Sequence, residues 1–302
     1  MIAALSVLLC ALLAWPLWTP DRERGELEAR YLDAPDDMKE IGAWRLHVRD
    51  SGPRDAPAIV LIHGFGSSLQ TWDAWAPGLG RRWRVVRVDL PGSGLSPPDP
   101  AGDYTDARSM QMLVALMDQL GLRRATIVGH SIGGRIAWRF AATHPERVDR
   151  LVLVAPDGFA SPGFEYGKAP DVPAVLGLMR YVLPKPLLRM NLAPAYADPN
   201  ALTDALVDRY YDLVRAPGAR QAMLDRMRQT VLVDPLPLLS AVHARTLLVW
   251  GQRDAMIPIT NSADYLKALP DARLATIPGA GHLPQEEAAA ESLAAVEAFL
   301  AS

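Results

Sequence analysis

The chain has 302 residues, half of them hydrophobic and 22% charged, so it holds ample apolar side chain for a sizeable core and general disorder is excluded. Lys and Arg number 31 against 34 Asp and Glu, and a net charge of -3 leaves no basic footprint for a nucleic acid partner. Cys10 is the single cysteine, which excludes an internal disulfide and a cysteine-built metal site; the length fits two ordinary units or one α/β core with an insertion.

Residues 1–20 carry no charge, and Ser6 and Thr19 are their only polar side chains. As a helix, residues 1–18 would rise about 27 Å, close to the roughly 30 Å of a bilayer's hydrocarbon core. No Lys or Arg precedes the run and no clear small-residue cleavage site follows it, so the segment is expected to be an uncleaved membrane anchor. A signal peptide and an apolar helix packed on the body are the alternatives. Arg22, Arg24 and Arg30 lie after the run, which points to a cytoplasmic body, export being the alternative. Residues 21–37 are charged and read as a juxtamembrane helix or linker that lets the body stand off the bilayer.

From residue 38 onward, apolar or β-branched runs at 44–48, 58–62, 85–88, 125–128, 151–154, 246–250 and 274–277 read as buried strands. Helical patterns cover 107–120, 132–143, 262–269 and 286–300. This alternation predicts an α/β fold, a mostly parallel sheet covered by helices on both faces. It stops between 155 and 243, where Pro, Met, Leu and Tyr accumulate and only short helices are suggested, at 174–183 and 202–214. An insertion of that length predicts a helical cap over the sheet's edge. The expected organisation is a core of residues 38–157 and 244–302 with a cap at 158–243.

The strongest chemical signal is Gly129-His130-Ser131-Ile132-Gly133, between a strand run and a helical pattern. It matches G-x-S-x-G, in which small residues flank a serine on a sharp, strained turn that lifts its hydroxyl clear of the sheet, so Ser131 is the candidate nucleophile. A serine hydroxyl needs a neighbouring base. Of the six histidines, His282 lies in the Gly-rich loop 279–283 after the last strand run and is the candidate base. The carboxylate that must orient it is expected to be Asp254, soon after the strand at 246–250, with Asp157 as the competitor. Ser131, Asp254 and His282 stand in the chain order nucleophile, acid, base. Oxyanion donors are expected from the backbone of Ile132 and of Phe65 in His63-Gly64-Phe65-Gly66, Gly66 being able to replace Phe65. No phosphate-binding glycine loop and no histidine pair at metal spacing is present.

With these elements in place, residues 38–302 resemble the α/β-hydrolase fold superfamily. The run Asp89-Leu90-Pro91-Gly92-Ser93-Gly94-Leu95-Ser96 is similar to the D-x-P-G-x-G-x-S turn of its capped members, and His144-Pro145-Glu146-Arg147-Val148 to their helix exit. The resemblance implies an eight-stranded sheet, a helical cap and a triad that needs no cofactor. Dehalogenases and epoxide hydrolases of this superfamily place an aspartate where Ser131 stands. Its ring-cleavage hydrolases, which cut carbon–carbon bonds, usually carry an aromatic residue after the catalytic histidine, where this chain has Leu283 and Pro284.

The expected function is therefore a serine esterase acting on a small-molecule ester through an acyl-enzyme. Carbon–carbon bond hydrolysis of ring-cleavage products is the alternative, and a membrane-tethered binding module without catalysis is the alternative of another class. An apolar acyl pocket is expected from some of Met179, Tyr181, Leu183, Leu187, Leu188, Met190 and Tyr196, although Leu and Met at helical spacing also serve simply to pack helices.

Overall fold

The computed structural model describes residues 18–160 and 165–302. Eight strands form one sheet: β1 (Met38–Ile41), β2 (Trp44–Ser51), β3 (Ala58–Ile62), β4 (Arg84–Val88), β5 (Ala125–His130), β6 (Val148–Val154), β7 (Arg245–Gly251) and β8 (Ala272–Ile277). Their order across the sheet is β1-β2-β4-β3-β5-β6-β7-β8, antiparallel between β1, β2 and β4 and parallel elsewhere. Strand β1, whose sequence MKEI carries no apolar run, escapes a reading based on hydrophobicity. Register sets it: Ile41 pairs with Trp44 across a two-residue turn, and Gly42 there takes φ +56°.

Helices cover both faces, as the continuous apolar runs require. In β3 every residue is buried, yet alternate side chains enter different cores. Ile59 and Leu61 pack with Trp72, Trp75, Val296 and Phe299; Val60 and Ile62 pack with Leu113, Leu116, Ile136 and Phe140. The helices, in chain order, are α1 (Arg24–Tyr31), α2 (Ala76–Leu79), α3 (Asp106–Gln119), α4 (Ile132–Thr143), α5 (Lys185–Leu192), α6 (Asp204–Val214), α7 (Ala219–Gln229), α8 (Leu236–Leu239), α9 (Ser262–Ala268), α10 (Pro284–Glu287) and α11 (Ala289–Ala301). Thr105 and Thr203 cap α3 and α6 by accepting the Arg108 and Leu206 N–H groups, each at 3.2 Å.

Two boundaries differ from expectation. Residues 21–37 are not a stand-off linker: α1 buries Leu27 against Leu95, Leu213, Ala216 and Ala219, and Arg22 and Arg30 pair with the buried Asp212 of α6. The cap also ends before α8, because Leu239 and Val242 pack into the sheet's core. Within the cap a 3-10 turn, Ala174–Arg180, precedes α5, α6 and α7. The expected anchor, residues 1–18, lies outside the described residues except for Trp18; among the described residues no helix is long and apolar enough to cross a membrane.

Candidate active site

Strand β5 runs directly into α4 through Ser131, whose backbone sits at φ 53°, ψ -119°. A non-glycine residue held there costs about 1–3 kcal/mol and needs support from its surroundings. That support is visible: the Ser131 N–H donates to Val154 O, and the Ser131 carbonyl accepts from the Arg135 and Asp157 N–H groups, each at 3.0 Å. The flanking glycines are steric requirements. A Cβ on Gly129 would lie 2.2 Å from Gly133 O, and one on Gly133 would lie 2.4 Å from Ile62 O.

His282 and Asp254 come from the loops after β8 and β7. These loops touch at Gly251, where a Cβ would fall 1.9 Å from Gly281 O. His282 Nδ1 lies 2.8 Å from Asp254 Oδ2, and both side chains are buried. Asp254 Oδ1 accepts the N–H groups of Met256 and Ile257, both at 2.9 Å, which fixes the carboxylate plane. A carboxylate accepts only, so Nδ1 carries a proton, and in the neutral ring Nε2 is the acceptor. Ser131 and His282 line one cavity. Asp157 is elsewhere engaged: it pairs with the buried guanidinium of Arg135, which Asp106 also holds at 3.0 Å.

The loop with the expected oxyanion donors is pressed against Ser131. A Cβ on Gly64 would lie 3.2 Å from Ser131 Cβ and 2.6 Å from His130 Nδ1. His63 braces this loop: its Nδ1 donates to Gly64 O at 2.7 Å and its Nε2 accepts the Leu90 N–H at 3.0 Å. Burial lowers the His63 pKa and keeps the ring neutral. Phe65 lines the cavity, and Ile132, the first residue of α4, has an N–H with no partner inside the helix. Leu90 in turn belongs to a turn built on the buried Asp89. Asp89 accepts the Leu69 N–H at 2.6 Å and the Leu95 N–H at 2.8 Å, and meets His47 Nδ1 at 2.7 Å.

His130 packs its ring 4.7 Å from that of His282 and donates Nε2–H to the His282 carbonyl at 2.9 Å. Burial first, and the neighbouring His282 second, push its pKa well below the usual value.

The cavity measures about 350 Å³, within the range of small-molecule sites, and its lining is mainly apolar. Of the expected cap residues, Met179, Leu183 and Leu188 line it. Tyr181 and Met190 do not: they lie exposed on the cap's outside, as does Leu187, because α5 and the preceding turn present only one side to the cavity. Tyr196 is buried beneath, its hydroxyl donating to Glu286 at 2.6 Å.

Further lining residues lie outside the expected set, among them Leu176, Tyr210, Val214, Met256, and Met223 and Met227 of α7. The i, i+4 spacing of Met223 and Met227 was the available signal, since it puts both on one helix face. Also unforeseen is the clamp between cap and histidine loop. Glu286 accepts from Arg209 at 2.7 Å and Tyr210 at 3.2 Å, Glu287 accepts from the Gly281 and Asp198 N–H groups at 2.6 Å, and the His282 N–H donates to Ala195 O at 2.8 Å.

Comparison with known proteins agrees with this layout. A 2-hydroxymuconate semialdehyde hydrolase of Pseudomonas putida is 31% identical over 290 residues, covering 89% of this chain and 98% of its own. Among solved structures, a meta-cleavage product hydrolase from Pseudomonas fluorescens IP01 superposes with a TM-score of 0.74 at 24% identity, over 87% of this chain and 98% of its own. A bacterial membrane phospholipase A does so with a TM-score of 0.75 at 23% identity, over 99% and 96%. The family described as alpha/beta hydrolase fold matches residues 57–289, which takes in the serine turn, both loops that meet at Gly251 and the histidine, and this chain belongs to it.

Proposed function

We propose that the protein is a serine esterase that takes uncharged, apolar acyl groups. Ser131 Oγ attacks the ester carbonyl carbon as its proton passes to His282 Nε2. The Phe65 and Ile132 N–H groups hold the developing oxyanion. The tetrahedral adduct collapses, the leaving alkoxide takes the proton from His282, and an acyl-enzyme remains on Ser131. Water, deprotonated by His282, then attacks the acyl carbon; the acid departs and Ser131 regains its proton. Asp254 holds the Nδ1–H tautomer throughout.

The observation that carries the choice of substrate is the lining of the cavity. Leu176, Met179, Leu183, Leu188, Met223 and Met227 surround Ser131, and no Lys or Arg is among the described lining residues. The segments outside the described residues, 1–17 and 161–164, contain no Lys or Arg either. A carboxylate buried there would lack a counter-charge, at a cost of several kcal/mol.

The second reading, carbon–carbon bond hydrolysis, is supported by the relatives, several of which are named for it. Their named substrates, muconates and dienoates, are carboxylates, and that is where the readings separate. Rates measured side by side on a p-nitrophenyl ester series and on 2-hydroxymuconate semialdehyde decide between them. Turnover of uncharged esters, faster as the acyl chain lengthens to fill the cavity, is expected; a dienoate cleaved faster than any ester would establish the second reading.

A further inference from the structure

We infer that the outer face of the cap, from Ala174 to Leu192, docks flat on a phospholipid bilayer, so that the mouth of the active-site cavity opens against lipid. The face is apolar where a water-facing surface would be polar. Val175 is 66% exposed, Leu178 57% and Met190 63%, with Tyr181 and Leu187 beside them in sequence. Val175 and Leu178 sit on the 3-10 turn Ala174–Arg180, Tyr181 directly follows it, and Leu187 and Met190 sit on α5; the same two elements supply Leu176, Met179 and Leu188 to the cavity. Leu176, Phe65 and Met256 are lining residues that also stand exposed, so the rim of the cavity is apolar as well. Large apolar side chains exposed together on two neighbouring stretches of chain mark a candidate partner surface.

Two observations identify the partner as lipid. The first is where the uncharged run of residues 1–17 joins the described chain. Trp18, 52% exposed, stacks on Tyr181 with ring centroids 5.6 Å apart, the Thr19 N–H donates to Tyr181 O at 2.7 Å, and the Leu183 N–H donates to Thr19 Oγ1 at 3.1 Å. Arg220, buried, donates to Thr19 O at 2.7 Å and to Asp21 at 2.6 Å, pinning the junction to the cap. The uncharged run, of bilayer-spanning length and composition, therefore joins the described chain at this face. The second is charge: from Ala174 to Leu192 the sequence contains no Asp or Glu, and of its three cations Lys185 and Arg189 pair with Asp208 and Asp204 of α6, while Arg180 hydrogen-bonds the neutral Gln221. Exposed apolar side chains with Trp18 and Tyr181 at the margin, an Arg180 guanidinium with no carboxylate partner among the described residues and no carboxylate in the segment suit a headgroup boundary.

The test reads position, independently of what the enzyme hydrolyses. In the full chain, Cys10→Ser removes the native thiol, and Met190→Cys carries an environment-sensitive fluorophore; Asp149→Cys, exposed at the opposite, amino-terminal end of β6, is the control. Each protein is reconstituted in phosphatidylcholine–phosphatidylglycerol vesicles containing shallow doxyl-labelled lipid. Strong doxyl quenching at position 190, with none at 149, is expected. Adding Val175→Glu and Leu178→Glu, neither of which lines the cavity, should abolish the quenching at 190 while the circular dichroism spectrum stays unchanged. Two results would overturn the inference. Position 190 as open to aqueous iodide as 149 would mean that the body stands away from the lipid. Position 190 shielded from iodide yet unquenched by lipid would mean that residues 1–17 or a second copy cover the face.

Discussion

His130, the residue before the candidate nucleophile, holds the backbone of His282, the candidate base, through an Nε2–H bond to its carbonyl at 2.9 Å. The turn that carries Ser131 and the loop that carries His282 are thus tied together across 152 residues of sequence. A carbonyl only accepts, so His130 donates through Nε2–H, and its depressed pKa keeps the ring neutral. His130→Ala should lower kcat by roughly tenfold, the equivalent of one buried hydrogen bond, and leave KM nearly unchanged. Steady-state kinetics on a p-nitrophenyl ester, with a circular dichroism check of folding, measures this; an unchanged kcat would remove the positioning role.

The acid assignment rests on two carboxylates with different partners. In Asp254→Asn, the amide oxygen would stay on the Met256 and Ile257 N–H groups, turning the NH2 group toward His282. The ring would then have to take the Nε2–H tautomer, which cannot accept the serine proton, and kcat should fall by about four orders of magnitude. Asp157→Asn loosens a counter-ion of Arg135 instead and should act on stability more than on rate. Parallel kcat and urea-midpoint measurements separate the two, and the reverse ranking would move the role to Asp157.

Burial lowers the pKa of both His63 and His130. The unfolded chain, with histidine values near about 6.5, therefore binds these protons before the folded one does. Above that pH neither residue contributes a pH dependence. Below it, stability should fall as pH drops, by up to about 1.4 kcal/mol per pH unit for each histidine, until the folded-state value is reached. Urea midpoints between pH 7.5 and 5 measure this, and a His130→Gln variant should show a shallower decline. A flat midpoint over that range would contradict neutral burial of these rings.

What the sequence made legible was whatever local geometry dictates. Ser131 between Gly129 and Gly133 could be read because the backbone there tolerates no Cβ. His282 and Asp254 could be read because strand ends and chain order limit where a base and its acid stand. The cap resisted the same reading. Tyr181 and Met190 have the chemistry of pocket residues, yet which side of α5 and its preceding turn faces Ser131 is decided by how the cap seats on the core. Glu286 and Glu287 read as the solvated start of a helix and instead receive five hydrogen bonds among Tyr196, Asp198, Arg209, Tyr210 and Gly281. Likewise, only Leu27 and Tyr31 among the charges of α1 reveal that this segment packs on the body.

The most direct measurement is the intact mass of the protein, followed by peptide mapping, after reaction with a fluorophosphonate and, separately, during turnover of a slow p-nitrophenyl ester quenched in acid. One phosphonyl group on Ser131 is predicted, with activity lost in proportion, and an acyl group on the same residue in the quenched sample. Turnover undiminished in Ser131→Ala, or an adduct confined to another residue, would contradict the account.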